Sequence, residues 1–334
     1  MPILIVLLAL LAGVPSSLAG PSAAPAARAA LALLDSAGAD GVAMDSLPMR
    51  LRLTATVGSG GGPAQRLAEP AGVAADAFGR IYVSDAGLNR VQRYEANGSW
   101  LGSAGTLGSD PGQLRRPGAV ATLGNSGIAV LDRENRRVIS YDLHGRLVGT
   151  LIDLNAAPLS DQLGYVDPVA LAADRGGAVV IVDADHDRVL AFDFGGRYVR
   201  AIGGFGGRGG SFRSLSGVAC APRGELVVSD RARRRIQRLD AGGRVLTAWP
   251  LAASPGRGAL AVAVDDSSRV AVADELTGRV WILDATGRLL AVADGLAGPR
   301  ALAFAPDGTL LVAESRAGRV TRWSLSPTGA APGE

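Results

Sequence analysis

Across residues 48–334, hydrophobic and polar positions alternate over short stretches separated by turn residues. Branched side chains recur at every second position in Ile81/Val83, Val179/Ile181 and Leu226/Val228. A period of two predicts β-strands, because successive side chains point to opposite faces of a sheet. No stretch keeps apolar residues at helical spacing over a useful length. The pattern predicts an all-β chain of many short strands.

The stretches fall into six repeated units. Each carries an acidic residue with an arginine five positions later: Asp85/Arg90, Asp132/Arg137, Asp183/Arg188, Asp230/Arg235, Asp274/Arg279 and Glu314/Arg319. Successive acids are 47, 51, 47, 44 and 40 residues apart. A glycine follows eight positions after each arginine, except that Pro327 stands there in the last unit. Fifteen positions before each acid lies a second anchor: Pro70, Pro117, Pro168, Leu215, Ala259 and Pro299. Two positions after the anchor the residue is always Gly or Ala, and four after it always Ala.

Each unit reads as four strands, and units of 40 to 50 residues in series build a β-propeller. The expected fold is a six-bladed propeller of four-stranded antiparallel blades spanning 48–334. The blades start near residues 67, 114, 165, 212, 257 and 297. Small residues in the first strand of each blade fit a crowded central axis. The sixth unit ends after its third strand, and residues 50–58 resemble the missing fourth one. The N-terminal strand is therefore expected to complete the last blade and close the ring, removing the open edge.

These repeats resemble the NHL-repeat family, in a secreted bacterial-type form. The pattern Pro-x-Gly/Ala-Val-Ala, then Asp-x4-Arg-Val, then Gly carries the resemblance, with 85–91 (Asp-Ala-Gly-Leu-Asn-Arg-Val) the closest copy. Members of that family include amidating lyases, RNA-binding tripartite-motif proteins and bacterial sensor ectodomains; lactonase propellers are more distant. The resemblance implies the fold but no single function. It also implies that the Asp/Arg pairs and the residues before each anchor share one face.

The N-terminus changes the picture of where the chain acts. Ile3–Val14 is an apolar run too short to span a bilayer, and small residues Ser17 and Ala19 follow it. Residues 1–19 are expected to be a signal peptide, and 20–47 an Ala/Pro-rich tether. The protein is expected to be exported, periplasmic or extracellular, as a monomer with no transmembrane helix after cleavage.

Composition narrows the chemistry. All 34 basic residues are Arg, which excludes lysine Schiff bases and a P-loop lysine. One Cys and two His argue against a disulfide, a cysteine zinc site and the histidine-based zinc of the amidating lyases. Few aromatics and an exported location argue against nucleic acid.

The recurrent Asp/Arg pairs are expected to be structural, because a binding site is usually asymmetric while these occur in every blade. Function is sought where blades differ. The residue before the anchor is Glu69, Arg116, Asp167, Ser214, Gly258 or Gly298. Lactonase propellers bind a divalent metal through a channel glutamate, so the resemblance implies Glu69 and Asp167 as oxygen ligands for Ca2+ in a metal-dependent hydrolase. The glycine of that family's motif is missing here, and Arg116 opposes a cation. Arg116 instead suits a small-anion sensor. Arg231, Arg233 and Arg234 form an arginine cluster suited to an anionic ligand or protein partner. The carboxylates of 183–187 are expected to form a polar turn. The insertion at 155–164 is a further place for partner contacts. The favoured reading is a non-catalytic binding or scaffold module; the hydrolase and the anion sensor are the alternatives.

Overall fold

A computed structural model describes residues 47–206, 210–251, 258 and 260–328. The expected signal peptide, almost all of the expected tether and the Ala259 anchor lie outside the described residues, as do residues 207–209 of the Gly-rich segment.

The chain forms six four-stranded antiparallel sheets. The first strand is β1 (Met49–Val57). Blade one is β2 (Pro70–Ala75), β3 (Ile81–Asp85), β4 (Arg90–Tyr94) and β5 (Trp100–Ala104). Blade two is β6 (Pro117–Thr122), β7 (Ile128–Asp132), β8 (Arg137–Tyr141) and β9 (Leu147–Asp153). A short helix, α1 (Leu159–Leu163), leads into blade three: β10 (Pro168–Ala173), β11 (Val179–Asp183), β12 (Arg188–Phe192) and β13 (Tyr198–Gly203). Blade four is β14 (Leu215–Cys220), β15 (Leu226–Asp230), β16 (Arg235–Leu239) and β17 (Val245–Pro250). Blade five is β18 (Leu260–Val264), β19 (Val270–Asp274), β20 (Arg279–Leu283) and β21 (Leu289–Ala293). Blade six runs β22 (Pro299–Phe304), β23 (Leu310–Glu314), β24 (Arg319–Pro327) and then returns to β1.

Ring closure is therefore N-terminal strand against C-terminal strand. β1 pairs antiparallel with β24 from Met49 opposite Pro327 to Val57 opposite Val320. The backbone N–H of Thr328 donates to Pro48 O at 2.9 Å and extends the clasp by one step.

The second strand of every blade is buried at all five positions. Alternation in the sequence suggests one wet face, but blades stack face to face, so both faces of the strand meet a neighbouring blade. Cores such as the one joining Leu131, Val138, Ile152, Leu171, Ile181 and Leu190 accordingly lie between blades two and three. Outer strands alternate instead, as in the half-buried and exposed positions of β5.

The small residues two after each anchor line the central channel: Gly72, Ala119, Ala170, Gly217, Ala261 and Ala301. At Gly72 a Cβ would fall 2.6 Å from Gly118 O and 2.8 Å from Val120 N on the next inner strand. At Gly217 it would fall 2.5 Å from Leu260 O. Only a residue without Cβ allows that approach. Opposite these two glycines stand Ser84 and Ser229. Each serine donates its hydroxyl to the next inner strand, Ser84 to Gly118 O and Ser229 to Leu260 O.

The insertion between blades two and three contains α1, which the alternating pattern does not predict. Five residues are too few to display a helical period.

Candidate binding face and channel mouth

The turn between second and third strands and the residue before each anchor meet on one face. The N–H of Ala86 donates to Glu69 O at 2.9 Å, that of Ala184 to Asp167 O at 2.9 Å and that of Arg231 to Ser214 O at 3.1 Å. The repeated acids are fully buried and bind backbone there. Asp85 accepts from the N–H groups of Ala68 and Glu69 at 3.0 Å each, and from Gly87 and Leu88 at 3.2 Å each. Asp132 accepts from Arg115 N at 2.7 Å and Asp183 from Asp167 N at 3.1 Å.

Arginine completes the tie in four blades. Arg137 reaches Asp132 at 2.8 Å, Arg188 reaches Asp183 at 2.8 Å, Arg235 reaches Asp230 at 3.1 Å and Arg319 reaches Glu314 at 3.1 Å. Three of these guanidinium groups also donate to carbonyls of the incoming loop: Arg137 to Ser109 O at 2.8 Å, Arg188 to Leu163 O at 2.6 Å, Arg235 to Ser211 O at 2.9 Å. Blades one and five depart from the expected pair. Asp85 is filled by backbone donors, and Arg90 donates to Arg66 O at 2.8 Å. Arg279 turns to Asp294 at 2.7 Å, an acid on the following connection.

The residue before each repeated arginine has a positive φ: Asn89, Arg136, Asp187, Arg234, Gly278 and Gly318. Two of these side chains accept a backbone N–H near the next anchor. Asn89 Oδ1 takes Arg116 N at 2.8 Å, and Asp187 Oδ1 takes Leu215 N at 3.0 Å. The mixture Asn, Arg, Asp, Arg, Gly, Gly is the signal the sequence offered, since Asn, Asp and Gly tolerate this backbone.

At the channel mouth the candidate residues separate. Glu69 is bound by two arginines. Arg116 contacts both its carboxylate oxygens, at 2.9 and 3.0 Å, and Arg300 contacts Oε1 at 2.7 Å. Arg116 also lies 3.7 Å from Glu134. Asp167 pairs with Arg133 at 3.4 Å and not with Arg116. A cavity of about 440 Å³ occupies the channel, with Arg133, Asp167, Arg231, Glu275 and Arg300 at its polar end. Arg300 was overlooked in the sequence, although it is the one charged residue directly after an anchor; the others are Ala71, Gly118, Val169, Ser216 and Leu260.

The residues do not fit a bound divalent metal. Both oxygens of Glu69 face guanidinium groups, and among the described residues no three His, Cys, Asp or Glu side chains gather into a metal-holding group. In the 183–187 turn, Asp183 holds Arg188 and lies 3.0 Å from His186 Nδ1, while Asp187 caps Leu215 N. His144 sits in the β8–β9 turn of blade two, a third-to-fourth-strand turn, whereas His186 sits in the β11–β12 turn of blade three, a second-to-third-strand turn at the opposite end of the blades.

The arginine cluster does not form one free patch. Arg231 reaches the channel and donates to Ser214 Oγ through Nη2 at 2.6 Å. Arg233 turns back to Asp230 at 3.4 Å. Arg234 adopts the left-handed backbone, and its carbonyl accepts Leu251 N at 2.6 Å. Burial pushes the Cys220 thiol up to about 12, with nearby Asp174 adding to the effect. Burial also pushes the Tyr94 and Tyr141 hydroxyls up to about 12. These hydroxyls donate to the loop carbonyls of Gln65 and Gly112, at 3.1 Å each.

No family model matches the chain. It is 30% identical over 137 residues to Protein brain tumor of Drosophila melanogaster, a match covering 40% of this chain and 12% of that protein. Among solved structures it is similar to a streptogramin B lyase, at TM-score 0.57 and 11% identity, covering 83% of this chain and 98% of the other. The virginiamycin B lyase of Staphylococcus aureus gives TM-score 0.54 at 11% identity, over 85% and 90% of the two chains. The Kuenenia stuttgartiensis hydrazine synthase gives 0.55 at 14% identity, over 79% and 97%. Likeness at these identities establishes the propeller fold. No helix among the described residues is long and apolar enough to cross a membrane.

Proposed function

We propose that this chain is an exported, non-catalytic NHL-repeat propeller that binds a protein or anionic ligand on the face of its second-to-third-strand turns. The observation that carries this reading is the pairing at the channel mouth. Glu69, Arg116, Arg300, Arg133 and Asp167 are engaged with one another by charge. A carboxylate whose oxygens are occupied by guanidinium groups is poorly placed to ligate a metal ion or to take up a substrate proton. Paired arginines and acids on a rigid rim instead favour recognition, where they set orientation and partner choice. The partial match to Protein brain tumor supports the NHL assignment. The apolar run and small-residue site at 3–19 support export.

The test is crosslinking capture in the native exported fraction with two double variants. Arg116→Glu with Arg231→Glu reverses charge on the proposed face. Arg146→Glu with Arg244→Glu reverses it in the third-to-fourth-strand turns at the other end of the blades. A partner captured by the wild type is expected to be lost only with the first. Retention by the first variant, or loss only with the second, overturns the reading.

A further inference from the structure

A second cavity, of about 450 Å³, opens beside the channel mouth between blades two and three. Its rim includes Arg116, Arg133, Arg136, Arg300, Glu134 and Asp167. These charges sum to +2 (four arginines against two acids). Three of the arginines are committed: Arg116 and Arg300 to Glu69, Arg133 to Asp167. Arg136 differs. Its guanidinium has no hydrogen bond or ion pair among the described residues and lies 4.7 Å from the centroid of the Tyr165 ring. Tyr165 follows the insertion directly and is 59% exposed.

Arg136 occupies the left-handed position that in blades one and three holds Asn89 and Asp187 as acceptors for backbone N–H. Blades five and six manage with Gly278 and Gly318. Blade four carries Arg234 at the same position, so the backbone tolerates an arginine here, but an arginine supplies no acceptor. What it does provide is a half-buried cation, held in orientation by an aromatic face and aimed along a cavity wall.

We propose that this cavity is a binding site for a carboxylate, received by the Arg136 fork over Tyr165. The carboxylate is either an acidic side chain of a peptide or a free organic acid. One uncommitted guanidinium matches one monoanion, whereas a phosphate dianion would face Glu134 and Asp167 with more repulsion. This site rests on the reading of the same face as the binding surface and names the chemistry it takes.

The test is a titration, followed by NMR, of the full mature chain with acetyl-Gly-Glu-Gly-amide, its Gln counterpart, propionate and inorganic phosphate, up to about 10 mM, which covers dissociation constants near 1 mM. Saturable binding of the Glu peptide is expected, at least tenfold tighter than the Gln peptide. Arg136→Gly is expected to weaken it at least tenfold with the melting temperature kept or raised, since glycine suits this backbone. A Glu peptide tighter than propionate assigns the site to peptides; equal affinity assigns it to free acids. Equal binding of Glu and Gln peptides, no Glu-peptide binding, tighter phosphate binding, or unchanged affinity in Arg136→Gly overturns the site. Binding lost in Arg231→Ala but kept in Arg136→Gly overturns this cavity while leaving the binding face in place.

Discussion

At the residue scale, the repeated acid is the fixed point and the arginine is adjustable. Every acid is fully buried, and backbone N–H groups reach each of them. Arg188 neutralises its acid directly, while Arg90 only ties down a loop carbonyl. Removing one partner of a buried ion pair leaves the other charge stranded, which costs about 3–5 kcal/mol, against about 1–2 kcal/mol for one charge-assisted hydrogen bond. Arg188→Ala is therefore expected to destabilise the protein clearly more than Arg90→Ala in urea melts. Equal losses would mean that the two arginines do the same work. The sequence could not separate these cases, because spacing sets which residues are opposite but not where a long guanidinium stem turns. Asp294, the acid that takes Arg279, stands outside the repeat pattern altogether.

At the element scale, nearly all of the strand plan was legible. Anchors at Pro70, Pro117, Pro168 and Pro299 are the first residues of β2, β6, β10 and β22. The four-residue turns carry their own chemistry in sequence: Asp142 Oδ1 accepts the N–H groups of His144 and Arg146 at 2.8 Å each, and these bonds hold its carboxyl below the usual carboxylate range. The helix α1 was not legible, and neither was the burial of both faces of the second strands, since alternation in one strand carries no information about what stacks against it. The closing strand makes the sharpest prediction at this scale. β1 is mostly exposed, so its contribution is the ladder to β24 and the removal of an open edge. Deleting residues 48–58 is expected to lower the melting temperature by more than about 10 °C, roughly what loss of several net backbone hydrogen bonds gives, and to promote association. An unchanged melting temperature and a monomeric deletion variant would contradict the clasp.

At the scale of the whole molecule, a closed ring brings residues far apart in sequence to one rim. Glu69 and Arg300 are separated by 231 positions and lie 2.7 Å apart. Such a contact follows only from closure, so the mouth was half legible: its ring of pre-anchor residues, with Arg116 opposing the acids, could be read, but Arg300 and Arg133 as partners could not. That pairing argues against a divalent metal at Glu69, because a carboxylate held by two guanidinium groups is a poor cation ligand. The most direct measurement is calorimetric titration of the purified protein and its Glu69→Gln variant with Ca2+ and Zn2+. No stoichiometric binding that depends on Glu69 is expected. One metal ion bound per wild-type chain, and lost in Glu69→Gln, would contradict that expectation.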